Sequence, residues 1–173
     1  MKNFFVNKLK PVHIVLAAVL SIVMLAVMDI YSLPEIAKAA GGIPAFDLQT
    51  FGYSHETAVQ FLSALSDSGR RLFLHFQLPF DFAFAFVYTF LFVALFVRLN
   101  KIGIRLCFVP LILFALDIAE NTLSVIMLKA SRLSTGITAL ASTVTFAKNG
   151  FTLLCTIIII VFAVLWFKNR KKK

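Results

Sequence analysis

The chain has 173 residues, of which 60% are hydrophobic and 14% charged, and its mean hydropathy is +0.92. A soluble domain carries about 45–50% apolar and about 25% charged residues, so this chain has more apolar surface than a soluble fold can hide. A bilayer accepts it, because a helix satisfies its own backbone and leaves apolar side chains free to meet lipid. The formal charge of +9 would point to nucleic acid in a soluble protein, but no nucleic-acid motif accompanies it. Much of the excess gathers at the chain ends and in one short loop, the placement that orients membrane helices and meets anionic headgroups.

The first apolar run, about residues 12–32, is close to the roughly 20 residues that a spanning helix needs. It is preceded by lysines and followed by the small residues Ala37 to Ala39, as a signal peptide would be. Its length and its ending in Asp29 favour an uncleaved helix. The second run, about residues 72–97, carries nine phenylalanines and is bounded by Arg70-Arg71 and Arg98; its aromatic wealth reads as lipid contact and packing rather than a ligand cage. The third covers about residues 106–128. The fourth, about residues 137–167, exceeds what a bilayer requires, so it must tilt, kink near Asn149-Gly150 or project. Cys107 and Cys155 lie within apolar stretches with no CxxC or His neighbour and read as small core residues.

Four spans place both termini on one side. The termini and the loop after span two hold eleven basic residues: Lys2, Lys8, Lys10, Arg98, Lys101, Arg105, Lys168 and Arg170 to Lys173. The other two loops hold five, Lys38, Arg70, Arg71, Lys129 and Arg132. That imbalance predicts a multi-pass protein of the cell membrane with both termini cytoplasmic. The long loop over residues 33–71 is then outside. It opens on Gly41-Gly42 and Pro44, which break regular structure. Further on, Ser54 is placed to cap a short amphipathic helix in which Ala58, Phe61, Leu62 and Leu65 share a face. The expected architecture is one all-α integral membrane domain over residues 1–173: a four-transmembrane-helix bundle with that short helix in its outer loop.

Ionisable groups inside the spans carry the functional information, because a charge at mid-bilayer costs about 2.5–3.5 kcal/mol even on insertion scales. Counted at helix geometry, Asp81, Asp117, Glu120 and Lys148 fall at one depth in the outer half. Residues three or four apart share a face, which groups Gln77, Asp81 and Tyr88 on span two, Asp117, Glu120 and Asn121 on span three, and Thr145, Lys148 and Thr152 on span four. Pro79 frees a backbone carbonyl near the same level. Asp29 and His75 form a second tier towards the outer ends of spans one and two. One reading is an ion-pair network that only locks the helices together. The other follows from charge: three carboxylates against one lysine leave a surplus that a low-dielectric interior does not hold unless protons, a cation or a cationic ligand are bound. A metal held by Asp81, Asp117 and Glu120 would be a hard cation, yet no spacing fixes such a site. No GxSxG, HExxH or phosphate-cradling glycine loop occurs, so neither a metal nor another cofactor is expected.

The segments Phe51-Gly52-Tyr53-Ser54, Gly69-Arg70-Arg71, Gln77-Leu78-Pro79-Phe80-Asp81 and Asp117-x-x-Glu120-Asn121 resemble a family of small, uncharacterised bacterial four-span membrane proteins. The likeness runs from Phe46 onward. It implies a four-span fold and a site at Asp117, Glu120 and Asn121, with Lys148 as the counterpart of a lysine in the family's last span. It implies no activity. Met28-Asp29, Gln77 to Phe80 and the basic tail are similar to the sigma-2 receptor and emopamil-binding-protein group, four-span proteins that bind cationic amphiphiles or sterols. The chain departs from that group where Phe73 stands in place of an acidic residue one turn before Gln77.

The function expected from these features is a non-enzymatic membrane protein. Its polar pocket, formed from Asp81, Asp117, Glu120, Asn121 and Lys148 with Gln77, His75, Asp29 and Tyr88 around it, binds or translocates a proton, cation or small cationic solute. The alternatives are a membrane-embedded enzyme acting on a lipid or isoprenoid and a structural or accessory subunit. The expected partners are membrane lipid, a small cationic or amphiphilic ligand and no nucleic acid. Four helices leave a narrow path, so transport would call for a homo-oligomer.

Overall fold

The computed structural model describes residues 9–99 and 103–170; of the basic residues used to orient the chain, Lys2, Lys8, Lys101 and Lys171 to Lys173 lie outside the described residues. The described residues contain helices and loops and no strand. The longer helices among the described residues are α1 (Pro11–Ala39), α2 (His55–Ala64), α3 (Asp67–Arg98), α4 (Phe108–Lys129) and α5 (Thr135–Arg170). Four of them, α1, α3, α4 and α5, are long and apolar enough to cross a membrane, and the fold is an all-α four-helix bundle.

Two boundaries differ from the sequence reading, for one reason. Span one does not end at Ser32 but continues through Pro34 to Ala39, and span two begins at Asp67 rather than residue 72, so the intervening loop is shorter than residues 33–71. Each helix contains a π-helical turn that ends two residues before a proline: Met28–Ser32 before Pro34, and Phe73–Gln77 before Pro79. In both, the residue just ahead of the proline donates its N–H five residues back, Leu33 to Met28 and Leu78 to Phe73. A proline lacks a donor and crowds the carbonyl four residues earlier; the widened turn absorbs both defects and the helix continues. Span four is unbroken at Asn149-Gly150. Its 36 residues rise about 54 Å, beyond a hydrocarbon core of about 30 Å, so its length is taken up by tilt or projection rather than by a break.

Helix α4 is central, packed between α3 and α5, while α3 also touches α5 and carries α1 on its far side. No comparable contact joins α1 to α5. At the loop end of the bundle, where residues 40–66 lie, α1 and α3 cross closely at Gly69: a Cβ there would come within 2.5 Å of the Ala39 Cβ. The Ser66 N–H donates to the Ala39 carbonyl at 3.0 Å. The Arg70 guanidinium donates to the carbonyls of Leu128 and Leu62, satisfying acceptors that the last turns of α4 and α2 leave open. Helix α2 starts as its sequence indicates: the Ser54 hydroxyl accepts from the Thr57 N–H at 3.0 Å, and Ala58 and Phe61 are buried.

The loop ahead of α2 does not stay above the bundle. It descends along α5, where the Ser142 hydroxyl accepts from the Tyr53 N–H at 2.8 Å and the Asn149 side-chain amide donates to the Thr50 carbonyl at 3.1 Å. Asn149 lies fourteen residues into α5 from Thr135, about 21 Å along the helix. Gly52 (φ +81°) makes the approach possible, since a Cβ there would fall 2.5 Å from the Ser142 Oγ. Phe46, buried and stacked on Tyr53 with centroids 5.0 Å apart, meets Phe61 edge-on at 4.8 Å. Irregular backbone at such depth is sustained where protein surrounds it.

Candidate functional site

At the centre of the site, Lys148 projects from α5 between two carboxylates of α4. Its Nζ lies 3.4 Å from Asp117 Oδ1 and pairs directly with Glu120 Oε2. Each carboxylate has a second partner: the Tyr88 hydroxyl of α3 donates to Asp117 Oδ2 at 2.6 Å, and the Thr145 hydroxyl donates to Glu120 Oε1 at 2.5 Å. Helical spacing explains the convergence, since Asp117 and Glu120 are one turn apart on α4 and Thr145 and Lys148 one turn apart on α5. Asp117 and Glu120 are 2% and 1% exposed.

Asp81, on α3, is 7% exposed and stands beside this pair, near Asn121 and Asp117. Its Oδ2 is buried with no hydrogen-bond partner, as are the amide nitrogen of Asn121 and the hydroxyl of Ser21. A cavity of about 340 Å³ lies against it, lined by Ser21 and Leu25 of α1, Asp81 and Tyr88 of α3, and Lys148 and Thr152 of α5. The cavity is walled by residues of all four spanning helices, with Asp117 contributed by α4.

Not every expected residue takes part. Gln77 is buried but points towards α1, where its Oε1 accepts from the Ser32 hydroxyl at 2.5 Å and its amide reaches the Met28 sulfur at 3.4 Å. Asp29 and His75 lie on exposed faces of α1 and α3, apart from the cluster, because the π turns bring Met28, Ser32, Phe73 and Gln77 inward instead. The phenylalanines of span two divide: Phe86 and Phe90 face outward, Phe73 and Phe96 are buried, and Phe84 and Phe92 line the cavity.

Three participants escape a reading of spans alone. Asp47 and Tyr53 come from the descending loop, and Ser21 is a lone hydroxyl in an apolar run. Asp47 Oδ1 is buried without a partner. Burial raises its pKa to about 6, against the attraction of Lys148 and with the repulsion of Glu120 and Asp117. Burial and then the Glu120 charge push the Tyr53 hydroxyl up from its ordinary value, so it remains a proton donor beside Thr145. Among the described residues, no group of three or more His, Cys, Asp or Glu converges in a metal-binding arrangement. No family model, curated protein or solved structure matches the chain.

Proposed function

We propose that this chain is a non-enzymatic protein of the cell membrane whose intramembrane pocket binds a proton, a cation or a small cationic group, with Asp81 as the contacting carboxylate. The orientation that the basic residues favour, both termini cytoplasmic, puts the loop end outside and the cluster in the outer half of the bilayer. One observation carries the reading: Lys148 is engaged by Asp117 and Glu120, while Asp81, which lines the cavity, keeps a buried oxygen with no hydrogen-bond partner. A buried carboxylate in that position holds either a proton or a positive ligand. A network that only fastened helices would have every member satisfied, since a half-satisfied buried network costs more than an apolar contact.

The test is pH-dependent stability and methylammonium binding in detergent for wild type, Asp81→Asn and the double variant Asp117→Asn with Glu120→Gln. Wild type is expected to change stability with pH and to be stabilised by the cation, and both variants to lose much of that response. A double variant that titrates and binds like wild type removes the pocket reading. Uniform destabilisation with the pH response intact leaves a purely structural network. The apolar wall that Leu25, Phe84, Leu91 and Phe92 give the cavity favours a second reading, an enzyme acting on a lipid or isoprenoid; incubation with membrane lipid extract followed by mass spectrometry would register it as a new product.

A further inference from the structure

We infer that the loop tip, residues 47–53, is an acid-closed cap on the pocket: it sits against α5 while Asp47 is protonated and withdraws towards the loop end when Asp47 ionises. This regulation rests on the pocket reading above and adds the residue that controls access to it.

The tip is attached lightly, and to the wall of the pocket itself. Phe46, buried against Phe61, anchors its root. Beyond that anchor Leu48 is 46% and Phe51 88% exposed, so the tip meets the bundle on one side only. There the Tyr53 N–H donates to the Ser142 hydroxyl, and the Asn149 amide donates to the Thr50 carbonyl. Asn149 and Lys148 both line the cavity, so the residue that holds Thr50 is also a wall residue.

Asp47 decides whether this attachment lasts. Its Oδ1 is buried with no hydrogen-bond partner. Lys148 of α5 and Glu120 and Asp117 of α4 act on it, it acts in turn on Asp81 of α3, and Tyr53 of its own loop lies near. Lys148 alone would favour an ionised Asp47. That lysine is already held by Asp117 and Glu120, so a new negative charge here meets more carboxylates than cations. A buried carboxylate without a donor is unfavourable, whereas the protonated acid is tolerated. Once ionised, Asp47 is better placed in water at the loop end. Its withdrawal breaks the bonds to Ser142 and Asn149 and uncovers the part of the Glu120–Lys148 pair that Asp47 and Tyr53 face. Cations from the loop side are thereby admitted above about pH 6 and held off in acid.

The test is hydrogen exchange at the Tyr53 amide of the full chain in nanodiscs, expressed as a protection factor so that the intrinsic pH dependence is divided out. With the Asp47 carboxyl raised from 3.8 to about 6, protection is expected to fall about fiftyfold between pH 4 and pH 7.5. Asp47→Asn should keep the high value at both. Asn149→Ala, which frees the Thr50 carbonyl, should lower the pH 4 value towards the pH 7.5 one and keeps the test readable if Asp47→Asn does not fold. His55→Gln removes a protonatable ring 3.0 Å from the Thr138 hydroxyl of α5 and should behave as wild type. Protection that is constant with pH, or a fall that persists in Asp47→Asn or disappears in His55→Gln, overturns the cap. The pocket reading survives that result if methylammonium still stabilises wild type and not Asp81→Asn. If the tip moves as expected while Asp81→Asn responds to methylammonium like wild type, the pocket reading falls and the tip guards no cation site.

Discussion

Lys148 brings one positive charge to a cluster in which Asp117 and Glu120 hold it directly while Asp81 and Asp47 feel it from further off. Asp47 allows this division to be tested, because it belongs to the loop that packs on α5 rather than to a span, and its carboxyl is raised from 3.8 to about 6 by burial, opposed by Lys148 and assisted by Glu120 and Asp117. A carboxyl whose folded pKa lies above its unfolded one favours folding while protonated. That contribution is complete below about pH 4 and is lost as pH rises through about 6. Asp47→Asn removes the ionisation penalty. The variant is therefore expected to match wild type near pH 4 and to exceed it near pH 7.5 by an amount on the order of 2 kcal/mol, measured by denaturant or thermal unfolding at the two pH values. A variant less stable at pH 7.5 would mean that Asp47 acts mainly as a partner of Lys148. Asp117, Glu120 and Lys148 stand out in the sequence because intramembrane charges are costly; Asp47 does not, because a loop carboxylate carries no depth until the chain is folded.

The two π turns do more than accommodate prolines. Their last residues, Ser32 and Gln77, face one another, and the hydrogen bond between them, with the Gln77 contact to the Met28 sulfur, is the polar link between α1 and α3 at this level. Removing the Ser32 hydroxyl leaves a buried acceptor on Gln77 unsatisfied, which costs about 1–3 kcal/mol. Ser32→Ala is expected to lose that much stability, and Ser32→Ala with Gln77→Met to recover most of it because both polar partners are then gone. A double-mutant cycle by unfolding in detergent reads the coupling directly; additive losses would show that the two side chains do not depend on each other. Hydropathy locates all four long helices and the capped α2 helix. The continuation of α1 past Ser32 is hidden, since Pro34 reads as a stop and the hydrogen-bond shift that carries the helix through it has no residue signature beyond that proline. For the same reason Gln77, four residues from Asp81 and so on its face by ordinary helical counting, turns out to serve α1.

Among the described residues, polar bonds bind α3, α4 and α5 through Tyr88, Asp117, Glu120, Thr145 and Lys148, whereas α1 makes its most extensive packing with α3. Within the four-helix bundle the polar network ties three helices together, and the cavity lies against it with α1 supplying Ser21 and Leu25 to its wall. The sequence indicates the depth of the charges and the polar faces of spans two, three and four, but not where α1 packs, because its run has only scattered polar residues and its hydropathy does not specify a neighbour. Helices joined by ion pairs and side-chain hydrogen bonds hold a narrower range of separations than helices without them. Spin labels at Ile22 and Leu153, both exposed on α1 and α5, are therefore expected to give a broader distance distribution in nanodiscs than labels at Ile126 and Leu140, exposed on α4 and α5. Double electron–electron resonance on cysteine pairs, in a background with Cys107 and Cys155 replaced by alanine, makes the comparison. Equal widths would mean that α1 is fixed against α5 as firmly as α4 is.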